Sequence, residues 1–383
     1  MKRQLLALLE KSARSFLRSP GRETRGAPHV RDAINLRRIM LVFVVALIPA
    51  LFMAIWNTGY QANLAMARID LAEAPGWRGR VLSGLGYDAD DLWANLAHGA
   101  LYFVPVYLVT LFVGRAWELL FASVRRRPLN EGLWVTGLLF ALSLPPLIPL
   151  WQVALGISFG IVIAQELFGG YGRHILHPAL VGRAFLYFAY ANDMSGDRIW
   201  VAVDGYSRAT PLSALQATAP EIGMDVIEPS WTEAFLGTIG GSMGETSTLA
   251  CLIGAVVLIL TGIGSWRIML SASAGAASAA ALLVRGGSET NAMFVLPPEW
   301  HLVLGGFAFG VVFFATDPVT SAQTNPGRWI YGFLVGALAV LLRVTNPTYP
   351  EGTMMAILLA SVFAPLIDWF VEQRNIERRA RHG

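Results

Sequence analysis

Ten long apolar runs, nearly free of charged residues, recur along the chain. A helix needs about 20 apolar residues to cross the hydrocarbon core of a bilayer. The predicted spans are 39–59, 92–114, 132–150, 151–168, 179–191, 246–264, 267–284, 300–316, 329–342 and 353–370. They are continuously apolar and lack the alternation of a barrel strand. The sequence therefore predicts an all-α polytopic membrane protein with about ten transmembrane helices.

Composition supports this class and excludes others. Hydrophobic residues make up 55% of the chain and charged residues only 14%, whereas a soluble domain is about 25% charged. The single cysteine, Cys251, excludes a disulfide framework and a cysteine-ligated iron–sulfur cluster within the chain. No soluble fold for binding NADH is visible, and no nucleic-acid partner is predicted.

Charge is distributed unevenly along the chain. Lys and Arg are concentrated in 1–38, 125–127 and 372–383, whereas 192–245 holds eight Asp or Glu against two Arg. Because cytoplasmic loops carry the excess of Lys and Arg, both termini are predicted to be cytoplasmic and 192–245 periplasmic. The predicted parts are a basic tail at 1–38, a first transmembrane repeat at 39–191, the periplasmic loop at 192–245, a second repeat at 246–371 and a tail at 372–383.

The two halves share a sequence pattern. In the first half Leu-Pro-Pro at 144–146 is followed by Gly156, Gly160, His177-Pro178 and Gly182-Arg183. In the second half Leu-Pro-Pro at 296–298 is followed by Gly306, Gly310, Asn325-Pro326 and Gly327-Arg328. Chance among Gly- and Pro-rich helices is the alternative to duplication, which in transporters places sites at the repeat interface. The spans leave open whether the repeats are parallel or inverted.

The first candidate site lies in the predicted periplasmic loop, where Ser207, Arg208 and Thr210 precede Pro211. A threonine followed by proline is typical of a helix N-cap. The cap does not exclude a function, because a helix N-terminus presents free N–H groups and a positive dipole to a phosphate. The Thr210 hydroxyl is therefore predicted both to cap a helix and to carry or bind a phosphoryl group.

The second candidate site is the glycine-rich segment 168–178, which contains Gly169, Gly170, His174 and His177. The segment follows a membrane span rather than a soluble strand, so it is not a dinucleotide fingerprint. A metal site is the less favoured alternative, because no further ligands stand nearby. The favoured interpretation is that the glycines admit a flat ring near the membrane and the imidazoles donate hydrogen bonds to it.

Carboxylates beside the spans form the third candidate set. They are Glu118, Glu166, Asp317 and Asp368. Placing a carboxylate within a membrane costs free energy, so such a residue is a candidate functional site. The alternative is a charge at the interface that stays in contact with water. Hard oxygen ligands near a broken helix suit a cation, so carboxylates near such breaks are the candidates for a path of cations or protons.

At these residues the chain resembles the NqrB subunits of the sodium-translocating NADH:quinone reductases. The similarity runs over nearly the whole chain and includes 29–34, 130–132, 144–146, 166–170 and 346–352. The most specific match is Ser-Arg-Ala-Thr at 207–210, which stands where the family has Ser-Gly-Ala-Thr. The related RnfD subunits of the RNF complexes share this motif but are shorter and lack the long basic tail, so an NqrB-type subunit is favoured.

The resemblance implies a fold and two cofactors. The fold is ten helices in two inverted repeats, similar to the urea transporters. The cofactors are FMN, joined to Thr210 through a phosphoester bond, and a non-covalent riboflavin beside residues 169–178. The implied quinone region maps onto Gly114 and Glu118.

The implied function is a redox-driven sodium pump of the bacterial inner membrane, which passes electrons from FMN through riboflavin to ubiquinone. The implied sodium path includes Asp317 and Asp368. The implied partners are subunits A, C, D, E and F, ubiquinone, Na⁺ and a flavin transferase. The alternatives are an RnfD-type subunit of an RNF complex and a solute channel or transporter without redox function.

Four residues depart from the family pattern. Arg208 and Arg115 replace glycines, while His174 and His177 stand where the family usually has asparagines. Arg208 either adds a cation beside the FMN phosphate or hinders the flavin transferase. The histidines change the details expected of the riboflavin site.

Overall fold

The structure is a computed structural model of the chain. It describes residues 36–71, 74, 76–84, 86–127, 129, 132–203, 206–218, 223–346 and 351–381. Within these ranges the regular secondary structure is entirely helical. The predicted all-α class is therefore confirmed, while most of the basic tail at 1–38 lies outside the described residues.

The first half contains six helices within the described ranges. They are α1 (Leu36–Arg68), α2 (Gly76–Leu82), α3 (Leu92–Arg125), α4 (Leu133–Leu142), α5 (Leu150–Phe159), which continues as a π-helix over Gly160–Glu166, and α6 (Pro178–Ala189). Asp91 caps α3 by accepting hydrogen bonds from the backbone N–H groups of Trp93 and Ala94.

Short helices make up the segment between the two halves. They are α7 (Ala191–Ser195), α8 (Pro211–Gln216), a 3₁₀ turn (Gly223–Val226) and α9 (Trp231–Leu236). Ser230 caps α9 in a reciprocal capping box with Glu233. The hydrogen bond from the Ser230 backbone lowers the pKa of the Glu233 carboxyl from its ordinary value.

The second half contains the remaining helices. They are α10 (Thr248–Leu260), α11 (Trp266–Gly286), a 3₁₀ turn (Ala292–Val295), α12 (Pro298–Val303), α13 (Phe307–Phe309), which continues as a π-helix over Gly310–Phe314, α14 (Asn325–Thr345) and α15 (Thr353–Ala380). Helices α1, α3, α11, α14 and α15 are long and apolar enough to cross a membrane, and four shorter apolar helices accompany them. The polytopic membrane class is confirmed.

Two predicted spans are not continuous helices. Helix α4 ends at Leu142, because Pro145 and Pro146 lack backbone N–H donors and disfavour helical geometry before them. The predicted span at 300–316 breaks between α12 and α13, where Gly305 and Gly306 have φ angles of 61° and 66°. These values lie in the left-handed region that glycine adopts without a steric penalty.

The repeated sequence pattern has a local structural counterpart. The two π-helices begin at Gly160 and Gly310, the second glycine of each copy. A Cβ at Gly160 would lie 2.2 Å from the carbonyl oxygen of Pro178. At Gly310 a Cβ would lie 2.9 Å from a methyl group of Ile357. Both π-helices thus begin where the chain packs closely on another segment, while the duplication itself stays a prediction.

Glycines also allow the longest helices to pack closely. A Cβ at Gly99 of α3 would lie 1.8 Å from the carbonyl oxygen of Ile55 in α1. A Cβ at Gly336 of α14 would lie 1.8 Å from the carbonyl oxygen of Ala272 in α11. Small residues at such crossings let helix backbones approach each other within a membrane.

Polar side chains of α1 hold the segment that precedes α10. The amide of Asn57 donates to the carbonyl of Ile239 over 2.9 Å, and the amide of Gln61 donates to the carbonyl of Thr238 over 2.9 Å. Asn57 and Gln61 are both buried. These bonds fix the position of Thr238 and Ile239, from which the chain continues into Gly240 and Gly241.

The predicted topology can be tested with Ala217→Cys in a Cys251→Ala background. Ala217 is exposed in the segment predicted to be periplasmic, whereas Cys251 is fully buried. A membrane-impermeant maleimide added to intact spheroplasts should label the introduced thiol. Labelling that appears only after lysis would place this segment in the cytoplasm.

Candidate functional site

Thr210 caps the short helix α8, as the sequence predicts. Its Oγ1 atom accepts a hydrogen bond from the backbone N–H of Ser213 over 3.2 Å, and Pro211 occupies the first helical position. Thr210 is only 4% exposed. The hydroxyl is therefore held in one place by the local sequence.

Two buried carboxylates line the pocket at Thr210. The pocket is formed by residues from four parts of the chain, which are 210–212, 239–246, 303–306 and Glu351. Glu351 lines this pocket together with Thr210, whose Oγ1 atom lies 3.0 Å from the hydroxyl oxygen of Ser213. Glu245 reaches the same pocket from the segment before α10. The pocket thus combines the Thr210 hydroxyl with acidic groups that are distant in sequence.

Arg183 of α6 connects these carboxylates. One guanidinium nitrogen of Arg183 lies 2.7 Å from a carboxylate oxygen of Glu245, and the other lies 3.8 Å from Glu351. The second nitrogen also donates to the hydroxyl of Ser242 over 3.2 Å. The side chains of Arg183 and Glu245 are each 4% exposed. A cation from the first half of the chain is thereby buried against anions from the second half.

A second buried guanidinium supports the break between α12 and α13. Arg343 donates to the carbonyls of His301 and Leu304 and to the hydroxyl of Thr353, each over 3.0–3.2 Å. A Cβ at Gly306 would lie 2.5 Å from the Glu245 carboxylate. The backbone can therefore approach the ion pair only because glycine stands at this position.

A second pocket adjoins Thr210 on the outer segment. It has a volume of about 200 Å³ and is lined by Arg208, Ala209, Pro211, Ala214, Val226, Glu228, Pro229, Ile239 and Gly240. Arg208 forms an ion pair of 2.8 Å with Glu228, which is 75% exposed. Ser207 is exposed beside it. The two pockets share Pro211, Ile239 and Gly240 as lining residues and are therefore neighbours.

The glycine-rich segment 168–178 forms a turn rather than a helix. Gly169 and Gly170 have φ angles of 105° and 100°, which glycine tolerates. Arg127 fills the space beside Gly170, because its guanidinium donates to the carbonyl of Gly169 and to the carboxylate of Glu166. The Arg127 guanidinium thus occupies the space where a Cβ of Gly170 would lie, and the ring-binding role of the segment stays a prediction.

The two histidines of this segment differ in their bonding. His177 caps α6, since its Nδ1 atom accepts from the backbone N–H of Ala179 over 3.2 Å. His174 is 3% exposed, and neither of its ring nitrogens has a hydrogen-bond partner among the described residues. The two rings lie 6.3 Å apart, and the His177 ring lies 5.0 Å from that of Phe314. A buried imidazole without partners fits a ligand that supplies polar atoms.

Glu118 is buried on α3. Its carboxylate accepts from Arg115 over 3.0 Å and from the amide of Gln165 over 3.3 Å. Gly114 lies one turn earlier, and a Cβ there would meet side-chain methyl groups of Leu133 and Ile161 at 2.7 and 2.9 Å. Gly114 therefore serves close packing in this structure.

The carboxylates of Asp317 and Asp368 both accept hydrogen bonds from backbone N–H groups of the segment between Asp317 and helix α14. Asp317 is 5% exposed and accepts from the backbone N–H and the hydroxyl of Thr320, each over 3.0 Å. Asp368 of α15 accepts from the backbone N–H of Gln323 over 2.6 Å and from that of Thr324 over 3.0 Å. No cluster of three or more metal-ligating side chains is present in the described ranges.

Sequence reasoning identified Thr210 but missed Arg183, Glu245, Glu351 and Arg343 as parts of its surroundings. A signal for one of them was present, because Arg183 is a charged residue inside a predicted span. Such residues usually face the protein interior and pair with another charge. The identity of the partner could not be read from the sequence, since Glu245 and Glu351 are distant along the chain.

Buried polar sites within the helical bundle of the described residues, five of whose helices are long enough to cross a membrane, define a multi-pass membrane protein. The chain belongs to the NQR2, RnfD, RnfE family, whose model matches residues 23–377. It is 54% identical over 370 residues to the B-type subunit of the Na(+)-translocating NADH-quinone reductase of Ectopseudomonas mendocina, covering 95% of this chain and 91% of that one. The same-named subunit of Chromohalobacter salexigens is 54% identical over 367 residues, which cover 95% and 88%.

The buried ion pair between Arg183 and Glu245 leads to a prediction about the free energy of unfolding of single and double variants. Glu245→Leu leaves the buried Arg183 without its nearest anion, so it should lower the free energy of unfolding by about 3–5 kcal/mol. The double variant Arg183→Leu with Glu245→Leu removes both charges and should be less destabilised than the single variant. Thermal unfolding of the purified chain in detergent measures both. Equal losses in the single and double variants would contradict the pairing.

Proposed function

We propose that the chain is the membrane subunit of a redox-driven sodium pump, in which electrons pass from FMN on Thr210 through riboflavin to ubiquinone and Na⁺ is exported. Its membership in a bacterial Na⁺-translocating NADH-quinone reductase, as a multi-pass membrane subunit, rests on relatives of that name that are 52–54% identical over about 95% of the chain. The flavins, the quinone and the electron path are the proposed part.

The observation that carries the proposal is the position of the Thr210 hydroxyl. It lines a pocket that adjoins a larger one beside Arg208. Arg208 lines the adjoining pocket, and Arg183 is paired with Glu245 of the Thr210 pocket, so positive charge is available to a phosphoester at Thr210. FMN bound there would supply one- and two-electron chemistry, while the chain supplies its position and electrostatic surroundings.

Riboflavin is proposed beside His174 and His177. The buried nitrogens of His174 support this, because they can hydrogen-bond a polar ring. Arg127 argues against the exact place predicted from the glycines, because it occupies the space next to Gly170. The proposed contact is therefore with the imidazoles, and the turn at Gly169 and Gly170 acts as a support held by Arg127.

Ubiquinone is proposed near Glu118, whose buried carboxylate lies one helical turn from Gly114 on α3. A sodium path is proposed past Asp317 and Asp368. The proposed location is the inner membrane with both termini in the cytoplasm. The proposed partners are subunits A, C, D, E and F and a flavin transferase.

Two other functions are less well supported. The family includes RNF subunits, but the relatives named above are subunits of the NADH-quinone reductase. A solute channel without redox function would not need a reactive hydroxyl in a charged pocket. A covalent flavin on Thr210 would exclude a plain channel.

Thr210→Val should abolish covalent flavin and quinone reduction while the chain still inserts into the membrane. Valine is close to threonine in shape but has no hydroxyl for an ester bond. The measurement is in-gel flavin fluorescence of the denatured chain after co-expression with a flavin transferase. Thr218→Val is the matched control, because its hydroxyl bonds only within the same segment, to the carbonyl of Ala214. Fluorescence that persists in Thr210→Val would place the flavin elsewhere.

Neutralising Asp317 or Asp368 to Asn should raise the sodium concentration needed for half-maximal quinone reduction, because a hard anionic ligand is lost. Flavin content should be unchanged, since neither residue lines the pockets at Thr210. The assay is a sodium titration of the assembled complex. Glu372→Gln, an exposed carboxylate on the same helix as Asp368, is the control. An unchanged titration in both variants would leave the ion path to partner subunits.

A further inference from the structure

We propose that Arg208 is the phosphate-binding side chain of the flavin site, and that it exchanges its ion pair with Glu228 for one with the phosphate when FMN is joined to Thr210. This inference rests on the proposed attachment of FMN to Thr210. It assigns a ligand to the residue that departs from the glycine of the family motif, and it names the partner that Arg208 has before the flavin is attached.

The backbone positions of Arg208 and Thr210 are both fixed. The backbone N–H of Arg208 donates to the carbonyl of Asp197 over 2.9 Å, and Thr210 is held as the cap of α8. Two residues of extended chain span about 7 Å, which is within the reach of an extended arginine side chain. The guanidinium can therefore meet a phosphate on the Thr210 Oγ1 atom by a change of side-chain rotamers alone.

The pocket of about 200 Å³ beside Thr210 places Arg208 in its wall. Arg208 and Glu228 are the charged residues among the described residues that line this pocket, and the other lining residues are apolar or glycine. The pocket adjoins the one at Thr210 along Pro211, Ile239 and Gly240. A phosphate on Thr210 would thus have the Arg208 cation in the wall of the neighbouring pocket.

The present partner of Arg208 is a carboxylate in contact with water. The Nη2 atom of Arg208 lies 2.8 Å from an oxygen of Glu228, and the two side chains are 26% and 75% exposed. An ion pair with so exposed a carboxylate contributes little to stability. Thr210 is only 4% exposed, so a phosphate there would be less hydrated and would attract the cation more strongly. A guanidinium can also bind two phosphate oxygens at once.

Arg183 is already neutralised by buried anions. Its guanidinium lies 2.7 Å from Glu245 and 3.8 Å from Glu351, whose side chains are 4% and 11% exposed. Taking a buried cation away from its buried partner costs much more than breaking an exposed pair. Arg183 therefore keeps its partners, and Arg208 is the arginine that can change its own.

The attachment step balances with a phosphoanhydride donor such as a flavin dinucleotide. The Thr210 Oγ1 atom forms a new bond to the phosphorus of the FMN moiety. The phosphoanhydride bond breaks, and the nucleoside monophosphate leaves with the electron pair. The Thr210 proton goes to the departing phosphate or to water, and the flavin gains or loses no electron. The product is an anionic phosphodiester, and its negative charge is what Arg208 binds.

The first test measures the rate of attachment. FMN transfer to the purified full-length chain in detergent, with flavin transferase and FAD, is followed by in-gel fluorescence. Arg208→Gln should lower the initial rate about five-fold or more, because a charge-assisted contact with the phosphate is lost. Arg208→Lys keeps the charge and should recover part of the rate. An unchanged rate in Arg208→Gln would overturn the inference.

Arg198→Gln is the matched control for this test. Arg198 is an exposed arginine of the same segment and does not line the pocket. Its loss should leave the rate of attachment at the wild-type value. A loss equal to that of Arg208→Gln would mean that the overall charge of the segment matters and that Arg208 has no specific role, which would also overturn the inference.

Glu228→Gln separates phosphate binding from a structural role of the ion pair. This variant releases Arg208, so its rate should equal or exceed that of the wild type. The double variant Arg208→Gln with Glu228→Gln should be as slow as Arg208→Gln alone. If Glu228→Gln and Arg208→Gln slow attachment equally and lower the Tm equally, the pair is a structural unit and the inference is wrong.

The second test asks which partner Arg208 has after attachment. The chain with covalent FMN and the chain expressed without the transferase are treated with phenylglyoxal, and modified arginines are quantified by peptide mass spectrometry. Arg208 should react about five-fold or more slowly in the flavin-loaded chain, since its guanidinium then binds the phosphate. Arg198 should react equally in both. Glu228→Gln should speed the reaction of Arg208 in the unloaded chain alone.

Two outcomes of the second test would overturn the inference. If Arg208 reacts equally in both chains, any effect of Arg208→Gln on attachment arises from contact with the transferase. If Glu228→Gln also speeds the reaction in the flavin-loaded chain, Arg208 has kept Glu228 as its partner and no exchange takes place.

Failure of the underlying proposal looks different from these outcomes. If the wild-type chain acquires no covalent flavin, or if Thr210→Val is labelled as fast as the wild type, the attachment site itself is wrong. If Thr210 carries FMN and the Arg208 variants behave as the wild type, only the role of Arg208 is lost.

Discussion

The buried ion pair between Arg183 and Glu245 is the interaction on which the arrangement around Thr210 depends. It joins α6 of the first half to the segment before α10 of the second half, with 2.7 Å between the charged atoms. Burial of two charges is costly, and removal of one partner costs more than removal of both. The pair therefore specifies how the halves meet. Glu351 and the pocket at Thr210 are placed relative to it.

Glycine allows the backbone to reach this ion pair. At Gly306 a Cβ would lie 2.5 Å from the Glu245 carboxylate, and at Gly305 a Cβ would lie 2.5 Å from a methyl group of Leu212. The break between α12 and α13 frees carbonyl groups, and Arg343 binds several of them. A membrane protein tolerates irregular backbone where it is buried in protein. The break is thus stabilised by charge and permitted by the absence of side chains.

The polar groups form an outer and an inner set under the predicted topology. The outer set surrounds Thr210, and the inner set includes Glu118, Glu166 and His174. Within the inner set, the Arg127 guanidinium donates hydrogen bonds to the Glu166 carboxylate and to the carbonyl of Gly169. The proposed electron path needs a flavin at each set. The ring nitrogens of His174 and the hydroxyl of Thr210 are the groups that each set offers to a ligand.

The sequence by itself determined the helical membrane class and the capping role of Thr210. Both follow from neighbours along the chain, since apolar runs set spans and a threonine before proline sets a cap. Only the tertiary structure decided that α4 stops at Leu142, that Arg127 fills the space at Gly170 and that Arg183 meets Glu245. Such contacts join residues from separate helices, and a charge at one position does not specify which distant charge will neutralise it. Packing decides that choice, because a buried charge must find its partner within a few ångströms.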